Sequence, residues 1–460
     1  MKDALHRVVT ACSVAVIAAA TAAGGAAPAV AAPARPAGCS IARALPPPPK
    51  ARPRYVLRVR VQPGLGTVRG TLTVAFTAPA DRGTDGLVFR LWPNGPVYAG
   101  AGAHLAVSDV REARRSLPIS HPDATTLVVR RPVRPGSRVV VSMRWRLSVP
   151  AGLSQLRIAR EGVRALRLGS FFPLLAWDGR GWALDPPTRL TGESWTSPTA
   201  DFDVRVSAPR GLRAFATGEQ VAPGVWRARA VRDFALALGH FGVATGVAHV
   251  PAPVKVTVAA DATAYGSPND FLQPAITSLQ RLSARYGSYP WSAYTVVAMA
   301  DIGAFAGGGS NEYPTLVFVS ATDATPVAHE TAHQWFYSLV GNDQARDPWL
   351  DEGLATWAQT LVDAAPPFAN ARIPAAAADR IGEPMRFWDR LGFRRFFLGV
   401  YLQTYRSLKS LGPRAQVDCA LRAYVQQNAY RVARPADLLT ALQRVFPAAR
   451  QELEAHGAHF

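Results

Sequence analysis

Residues 327–336 read VAHETAHQWF, and this stretch contains two histidines four positions apart. On a helix, residues four apart lie on one face, so His329 and His333 could both reach one Zn²⁺ ion. Glu330, which follows the first histidine, could then reach a water molecule on that ion. The five-residue pattern also arises by chance, so it becomes specific only with a third ligand.

A third metal ligand is expected at Glu352, which follows His333 after eighteen intervening residues. It stands in WLDEGLA, residues 349–355, and the preceding Asp347-Pro348 pair is a turn signal. A turn followed by a second helix could bring Glu352 back beside the first helix. A catalytic zinc needs three protein ligands and one open position, which this trio would provide.

The same stretch resembles the aminopeptidase N-like gluzincins, a family of zinc peptidases that also includes the leukotriene hydrolases. Residues 327–336 look like the family's VAHELAHQWF segment, and LVGN at 339–342 and WLDEG at 349–353 match in order and spacing. GSNEY at 309–313 stands where the family has its G-x-M-E-N substrate loop. The resemblance implies a short, two-domain, exported member, with a β-domain in front of a thermolysin-like catalytic domain.

The resemblance also implies a role for each residue of the motif. His329, His333 and Glu352 would hold one zinc ion per chain. Glu330 would act as the general base toward water and then as the general acid toward the leaving amine. These roles are those that peptide-bond hydrolysis at a zinc centre requires.

Tyr401 is the best match to the family's oxyanion donor, a tyrosine in a V-Y-x-x-G-A context. It stands in VYLQTY, residues 400–405, where Thr404 occupies the place of the usual glycine. A second alignment, through Gly399, places Phe396 at the tyrosine's position and leaves no donor. A tyrosine packed in the core is the alternative interpretation of Tyr401.

Glu312 occupies the position at which the family binds the free α-amine of the substrate, which implies an exopeptidase. A carboxylate there would pair with the ammonium group and set the register from the N-terminus. Gly309, in the same loop, would let the backbone approach the substrate closely. Asn311 stands in place of the family's methionine, and a surface glutamate after a glycine-rich loop is the alternative interpretation of Glu312. Glu193 is a weaker candidate for the cleft.

The 460 residues divide into four segments that differ in composition and hydrophobic pattern. Residues 1–31 have a basic start, a short apolar run and an A-x-A end, which predicts a signal peptide. Residues 32–53 form a proline-rich linker, and residues 54–245 alternate apolar and polar side chains, which predicts an N-terminal all-β sandwich or saddle. Residues 246–460 become mainly helical, including Val327–Val340, which predicts an α+β domain that the resemblance makes a thermolysin-like zinc catalytic domain.

The formal net charge is +19, and only four of the 51 basic residues are lysines. The arginines are scattered along strand-like and helix-like segments rather than clustered with aromatic residues, so the composition does not indicate a nucleic-acid binder. Compositional background is the simplest interpretation of this charge. Weak attraction to an anionic cell envelope is the other interpretation.

Two cysteines, Cys39 and Cys419, would remain after removal of residues 1–31. In an oxidising compartment they predict one disulfide bond. Attachment of a lipid to Cys39 and a pair of free thiols are the two alternatives.

The sequence therefore predicts an exported zinc-dependent aminopeptidase, extracellular or associated with the cell envelope. Its partners would be peptides with a free N-terminus, hydrolysed by attack of a zinc-bound water with the assistance of Glu330. One alternative is a non-catalytic protein of the same fold that binds peptides or envelope polymers. The other is an epoxide hydrolase or an endopeptidase that uses the same zinc site.

Overall fold

The computed structural model of the protein describes residues 44–151, 157–190, 195–299, 310–320, 324–362, 365–366 and 368–460. The predicted signal peptide, Cys39, Glu193 and Gly309 lie outside these residues, as do residues 32–43 of the predicted linker. Within the described part, no helix is both long enough and apolar enough to cross a membrane.

The strands of the described residues are, in chain order, β1 Arg54–Val61, β2 Thr67–Thr77, β3 Leu87–Arg90, β4 His104–Glu112, β5 Arg115–Ser116, β6 Ile119–Ser120, β7 Thr126–Val129, β8 Arg138–Ser148, β9 Ile158–Glu161, β10 Ala165–Leu168, β11 Leu174–Leu175, β12 Ala200–Ser207, β13 Arg213–Ala216, β14 Glu219–Ala222, β15 Val225–Val231, β16 Leu236–Gly239, β17 Phe241–His249, β18 Pro253–Asp261, β19 Ala293–Ala298, β20 Asn311–Tyr313, β21 Leu316–Val319, β22 Gly341–Asn342 and β23 Val432–Ala433.

The helices of the same residues are α1 Pro96–Gly100, α2 Pro268–Tyr286, α3 Ala324–Ala332, α4 Glu352–Gln359, α5 Met385–Leu391, α6 Phe393–Phe396, α7 Gln403–Leu411, α8 Arg414–Asn428, α9 Pro435–Gln443 and α10 Ala449–Ala455. Shorter helical turns are of the 3₁₀ type at Trp92–Asn94 and Pro348–Leu350, and of the π type at Phe397–Leu402.

Strands β1 to β16 form a sheet-rich N-terminal region. An eight-stranded sheet has the order β14-β15-β12-β1-β2-β8-β4-β5, and two four-stranded sheets have the orders β13-β16-β10-β9 and β11-β3-β7-β6. Along β1, Leu57 and Val59 are buried while Arg58 and Arg60 are exposed, because successive side chains of a strand point to opposite faces. Buried side chains from each of the three sheets share one apolar core. Ala159, Ala165 and Ala237 of the sheet β13-β16-β10-β9 belong instead to a second cluster with Val297 and Phe318. The predicted sheet-rich N-terminal region is confirmed.

A five-stranded mixed sheet of order β17-β18-β19-β21-β20 begins the second region. Helix α2 packs against β17 and β18, and it buries Phe271, Leu279 and Leu282 in the apolar core of this region. The predicted change of domain between residues 245 and 246 falls inside β17, which pairs with β18 along its whole length. The remaining helices follow this sheet, so the predicted mixed and mainly helical region is confirmed.

Helix α3 carries the first half of the VAHETAHQWF stretch, but it is shorter than predicted. It ends at Ala332 rather than at Val340. The helical spacing still reaches His333, because its N–H donates to the carbonyl oxygen of His329 at 3.3 Å. The chain then turns at Tyr337, whose φ is 135°. The prediction of a helix through Val340 was wrong because the apolar residues after the motif fill a buried turn.

Gln334 explains why the chain leaves the helix at this point. Its side-chain amide donates to the carbonyl oxygen of Tyr313 at 3.0 Å and accepts from the N–H of Thr315 at 2.7 Å. These two bonds tie the turn to the end of β20, where backbone groups would otherwise lack partners. The turn after the histidine motif is therefore fixed by the edge of the sheet.

Arg232 connects the N-terminal region to the helical region. Its side chain is 2% exposed, and burial lowers its pKa to about 10, so it remains protonated at neutral pH. It donates to the carbonyl oxygens of Ser197 at 2.8 Å, Ser338 at 3.2 Å, Leu339 at 3.4 Å and Arg431 at 3.2 Å, and to the hydroxyl of Thr199 at 3.3 Å. A Cβ atom at Gly341 would lie 2.3 Å from this guanidinium group, so glycine makes room for it.

Replacing Arg232 with methionine should lower the free energy of unfolding by about 3 kcal/mol, because several buried carbonyl oxygens would lose their donor. Arg227→Met, which changes an exposed arginine of β15, the strand that ends directly before Arg232, should stay within about 0.5 kcal/mol of the parent. Urea unfolding followed by circular dichroism measures both. Equal losses in the two variants would contradict the connecting role of Arg232.

Candidate metal centre

Three side-chain atoms converge at the junction of α3 and α4. His329 Nε2 lies 3.2 Å from Glu352 Oε2 and 3.2 Å from His333 Nε2. His333 Nε2 lies 3.4 Å from the same carboxylate oxygen. In tetrahedral zinc sites the ligand atoms lie about 3.3–3.4 Å apart, since zinc–nitrogen bonds are about 2.0–2.1 Å long. The predicted trio therefore fits a tetrahedral metal ion.

The two helices place these ligands from opposite sides. Helix α3 carries His329, His333 follows one turn later directly after the end of α3, and Glu352 is the first residue of α4. The next residue, Gly353, packs against Thr404 of α7, where a Cβ atom would come within 2.5 Å of the threonine side chain. The start of α4 can approach α7 this closely only because residue 353 has no side chain.

The other ring nitrogen of each histidine is held by an acceptor. His333 Nδ1 lies 2.7 Å from Asp351 Oδ1 and 3.1 Å from the carbonyl oxygen of Phe336, and His329 Nδ1 lies 2.7 Å from Gln359 Oε1. An Nδ1–H that donates to such an acceptor leaves Nε2 unprotonated and turned toward the metal position.

Neither Asp351 nor Gln359 was singled out from the sequence. Asp351 directly precedes Glu352, and Gln359 lies seven residues beyond Glu352 on α4. A spacing of seven returns to the same face of a helix after two turns, so this signal was present in the sequence. Acceptors of this kind usually accompany metal-binding histidines.

The electrostatic surroundings favour a cation at this point. Burial alone would lower the pKa of His333, but the carboxylates of Asp351 and Glu312 raise it well above its usual value. Burial alone would raise the pKa of Glu352, but hydrogen bonds from the two histidines hold this pKa far below its usual value. Surroundings that stabilise positive charge on an imidazole would also stabilise a metal ion in contact with it.

Glu330 faces the same space and keeps one oxygen unpaired. Its Oε1 accepts a hydrogen bond from Ser310 Oγ at 2.6 Å, whereas its buried Oε2 has no hydrogen-bond partner among the described residues. Burial raises the pKa of this carboxyl group to about 7. Glu330 thus has an acceptor oxygen available for a small molecule beside the metal position.

Tyr401 lies over the first histidine. Its ring stacks on that of His329 with centroids 5.8 Å apart and an interplanar angle of 11°. It belongs to the π-helical turn 397–402 and packs against Phe396 and Phe397. Burial and the nearby charge of Glu352 raise its pKa well above the usual value, so the hydroxyl stays protonated and able to donate. The alternative residue at this position, Phe396, lies behind the tyrosine ring.

Glu312 lies on the edge strand β20 and is 3% exposed. Ligand atoms of Glu312, Glu330 and His333 fall within 4.8 Å of one another, so the structure brings the predicted amine anchor to the metal centre. Asn311 is buried beside it. Glu312 is therefore not the surface glutamate of the alternative interpretation.

Arg157, from the N-terminal region, is an unforeseen part of the site. Its Nη2 atom lies 3.5 Å from Oε1 and 3.4 Å from Oε2 of Glu312. It also donates to the hydroxyl of Tyr313 at 3.3 Å and lies over the ring of Trp195. Among so many arginines, nothing in the sequence distinguishes this one, because the contact spans 155 residues.

Gly169 allows the N-terminal region to approach β20. A Cβ atom at this position would lie 1.7 Å from the hydroxyl oxygen of Tyr313, so any other residue would displace that tyrosine. Because Tyr313 adjoins Glu312, the placement of the carboxylate depends on the glycine that directly follows β10 of the N-terminal region.

The site has the ligand arrangement of gluzincins, in which two histidines of an HExxH segment and a downstream glutamate hold the metal. The sequence profile of the peptidase family M1 domain matches residues 285–378. Aminopeptidase RNPEPL1 of Mus musculus is 33% identical over 84 residues, which cover 17% of this chain and 11% of that protein. Aminopeptidase M1 of Arabidopsis thaliana is 30% identical over 142 residues, which cover 26% of this chain and 16% of that protein. The match thus spans less than a fifth of these curated relatives.

Solved structures show the same fold over most of the chain. An M1 zinc metallopeptidase from Deinococcus radiodurans superimposes with a TM-score of 0.64 at 20% sequence identity, covering 89% of this chain and 94% of that one. A mutant of an M1 zinc metallopeptidase from Deinococcus radiodurans bound to a Tyr-Ser-Ala substrate gives a TM-score of 0.63 at 20% identity, covering 88% of this chain and 94% of that one. Residues 285–378 of the chain thus match the peptidase family M1 domain, and the chain has the fold of these M1 zinc metallopeptidases.

Asp351→Asn should weaken zinc binding about 10- to 100-fold, because the acceptor that orients His333 loses its charge. Competition with a chromogenic chelator measures the affinity. Asp347→Asn changes another largely buried carboxylate that has no hydrogen bond to either histidine among the described contacts, and it should leave zinc binding unchanged. Unaltered affinity in Asp351→Asn would show that this contact does not support the metal site.

Proposed function

We propose that the protein is a zinc-dependent aminopeptidase that removes N-terminal residues from peptides. The observation that carries the proposal is the short distance between the metal trio, the unpaired oxygen of Glu330 and the carboxylate of Glu312. This arrangement combines a metal position, a proton acceptor and a partner for an ammonium group in one buried space. The match to the peptidase family M1 domain and the names of the matching aminopeptidases support the same activity.

The metal would be one zinc ion held by His329, His333 and Glu352. When bound, zinc polarises the scissile carbonyl group and makes a nearby water molecule more acidic. Asp351 and Gln359 hold the two histidines with their Nε2 atoms toward the metal, so little reorganisation accompanies its binding.

Glu330 would handle the proton. Its free oxygen takes a proton from the attacking water and later delivers it to the leaving amine, while the hydrogen bond from Ser310 keeps the carboxylate from rotating. The Tyr401 hydroxyl, kept protonated by burial beside Glu352, would donate to the oxygen that becomes negatively charged at the scissile carbonyl.

Glu312 would bind the free α-ammonium group and so make the enzyme an exopeptidase. Arg157 approaches both carboxylate oxygens at 3.4–3.5 Å, which is longer than a strong charge-assisted hydrogen bond. The carboxylate can therefore keep Arg157 as a neighbour and still accept closer hydrogen bonds from an ammonium group. Arg157 would orient the carboxylate before the substrate arrives.

Several further proposals rest on sequence alone. Residues 1–31 would be a signal peptide and the protein would be exported, with residues 32–53 as a linker. The N-terminal region would form a sandwich or saddle and the second region a thermolysin-like domain. Cys39 would form a disulfide bond with Cys419, and Gly309 would line the substrate cleft.

Glu330→Gln should reduce kcat for aminoacyl-arylamides by about 10²- to 10⁴-fold, because the amide cannot accept a proton from water. The variant should retain its zinc, measured by elemental analysis, since Glu330 is not one of the three ligands. Glu383→Gln, which changes a glutamate that precedes α5 and forms an ion pair with Arg380 outside the site, should behave like the parent enzyme. Full turnover by Glu330→Gln would reject the mechanism, and peptide binding without turnover by the parent would favour a non-catalytic protein.

Glu312→Gln should raise KM about tenfold or more for substrates with a free amine, because an amide pairs weakly with an ammonium group. The same substitution should change KM little for N-acetylated peptides, which have no ammonium group to bind. Steady-state kinetics on matched free and acetylated peptides measures the change in KM for each. A general loss of folded protein would affect both peptides equally, so the comparison is independent of it. Equal effects on both peptides would reject the anchor role while leaving the zinc peptidase mechanism intact.

A further inference from the structure

The outer face of the eight-stranded sheet carries a concentrated set of positive charges. The strands β12, β1, β2 and β8 are neighbours in this sheet, and most of their apolar side chains are buried, although Val56 and Val140 are exposed on the outer face. Arg54 and Arg138 are exposed at the first positions of β1 and β8. Six further exposed arginines point outward from the middle of this surface and are called here the arginine face: Arg58, Arg60, Arg69, Arg144, Arg146 and Arg205.

Strand register places these arginines in two rows. Arg60 is paired with Arg69 on the next strand, and Arg69 is paired with Arg146 on the strand beyond. In the second row, Arg205 is paired with Arg58, and Thr71 separates that pair from Arg144. Neighbouring strands lie about 4.8 Å apart and alternate residues of a strand about 7 Å apart, so the face measures roughly 14 by 7 Å.

Acidic side chains do not neutralise this face. Arg144 lies 3.4 Å from Asp109, but the other five arginines make no ion pair among the described residues. Asp203, on the same side of the sheet, is already shared by Arg54, Arg227 and Arg229. Like charges directly opposite each other on neighbouring strands destabilise a sheet. A fold that keeps five such charges together has a surface that an anion would stabilise.

We propose that the arginine face binds the phosphate headgroups of an anionic lipid bilayer. Guanidinium groups bind phosphate oxygens in a bidentate manner, which suits arginine better than lysine. The two rows of arginines lie side by side, so they match a two-dimensional layer of lipid phosphates better than the single line of phosphates of a linear polyanion. Single-stranded nucleic acid is disfavoured because the large aromatic residues of these strands, Tyr55, Phe76 and Trp145, are turned into the core.

This surface is separate from the metal centre and goes beyond the proposed peptidase activity. All six arginines belong to the N-terminal sheet, and none contacts a residue of the metal site in the described contacts. Binding through this face would hold the enzyme at a membrane surface while leaving hydrolysis of soluble peptides unchanged. The two proposals can therefore fail independently.

Co-sedimentation with vesicles tests the proposal. The purified protein should bind vesicles of equal parts phosphatidylglycerol and phosphatidylcholine in 0.1 M NaCl, because the anionic lipid gives the bilayer a negative surface potential that attracts arginine. It should not bind vesicles of phosphatidylcholine alone, which have no such potential. Replacing Arg60, Arg69 and Arg146 with serine should weaken binding about tenfold or more. Peptidase activity and melting temperature should not fall, because three mutually repelling charges are removed.

The matched control removes the same charge elsewhere. Arg386, Arg390 and Arg394 are exposed on α5 and α6 of the second region, and their replacement with serine should leave vesicle binding within about twofold of the parent. A variant with lysine at 60, 69 and 146 keeps the charge and should retain most of the binding even if the serine variant folds poorly.

Three results would overturn the proposal. One is absence of binding to the anionic vesicles by the parent protein. Another is equal weakening by the two serine variants, which would mean that net charge alone is responsible. The third is tight binding of soluble polyphosphate through the same residues without binding to vesicles, which would assign the face to a soluble polyanion.

Discussion

The convergence of His329 Nε2, His333 Nε2 and Glu352 Oε2 to within 3.2–3.4 Å is the constraint on which the rest of the site depends. Two imidazole nitrogens and a carboxylate oxygen reach such distances without steric or electrostatic conflict when a cation lies between them. Each ring must expose Nε2, which explains the acceptors at Asp351 and Gln359. The turn after α3 must follow at once, because it supplies a second acceptor for His333, the carbonyl oxygen of Phe336.

The sequence could predict the parts of this site that depend on local spacing. Histidines four positions apart lie on one helix face, and strand alternation specifies which side of β1 is buried, so His329, His333 and the sheet-rich region followed from pattern alone. Glu352 followed from a longer spacing together with family resemblance. Contacts between distant segments could not be predicted in this way: the approach of Arg157 to Glu312 and the early end of α3 depend on where the two sheets meet.

Arginine serves three different physical purposes in this chain, and composition alone could not separate them. Arg232 is buried and satisfied mainly by carbonyl oxygens, so it joins backbone segments. Arg157 is buried beside a carboxylate and helps to fix its position. The arginines of the outer sheet face are exposed and adjacent, which stores repulsion that an anionic surface would relieve. Strand register and burial therefore assign roles to charges that the sequence presents as a uniform excess.

X-ray absorption at the zinc edge of the metal-loaded protein measures directly which atoms surround the metal ion. The geometry predicts two imidazole nitrogens and oxygen ligands at about 2.0–2.2 Å in a four-coordinate shell. Replacing Glu352 with alanine should then remove one protein oxygen and leave both imidazole contributions in place. A shell containing sulfur, a single imidazole, or six oxygen ligands would contradict the assignment of His329, His333 and Glu352 as the metal site.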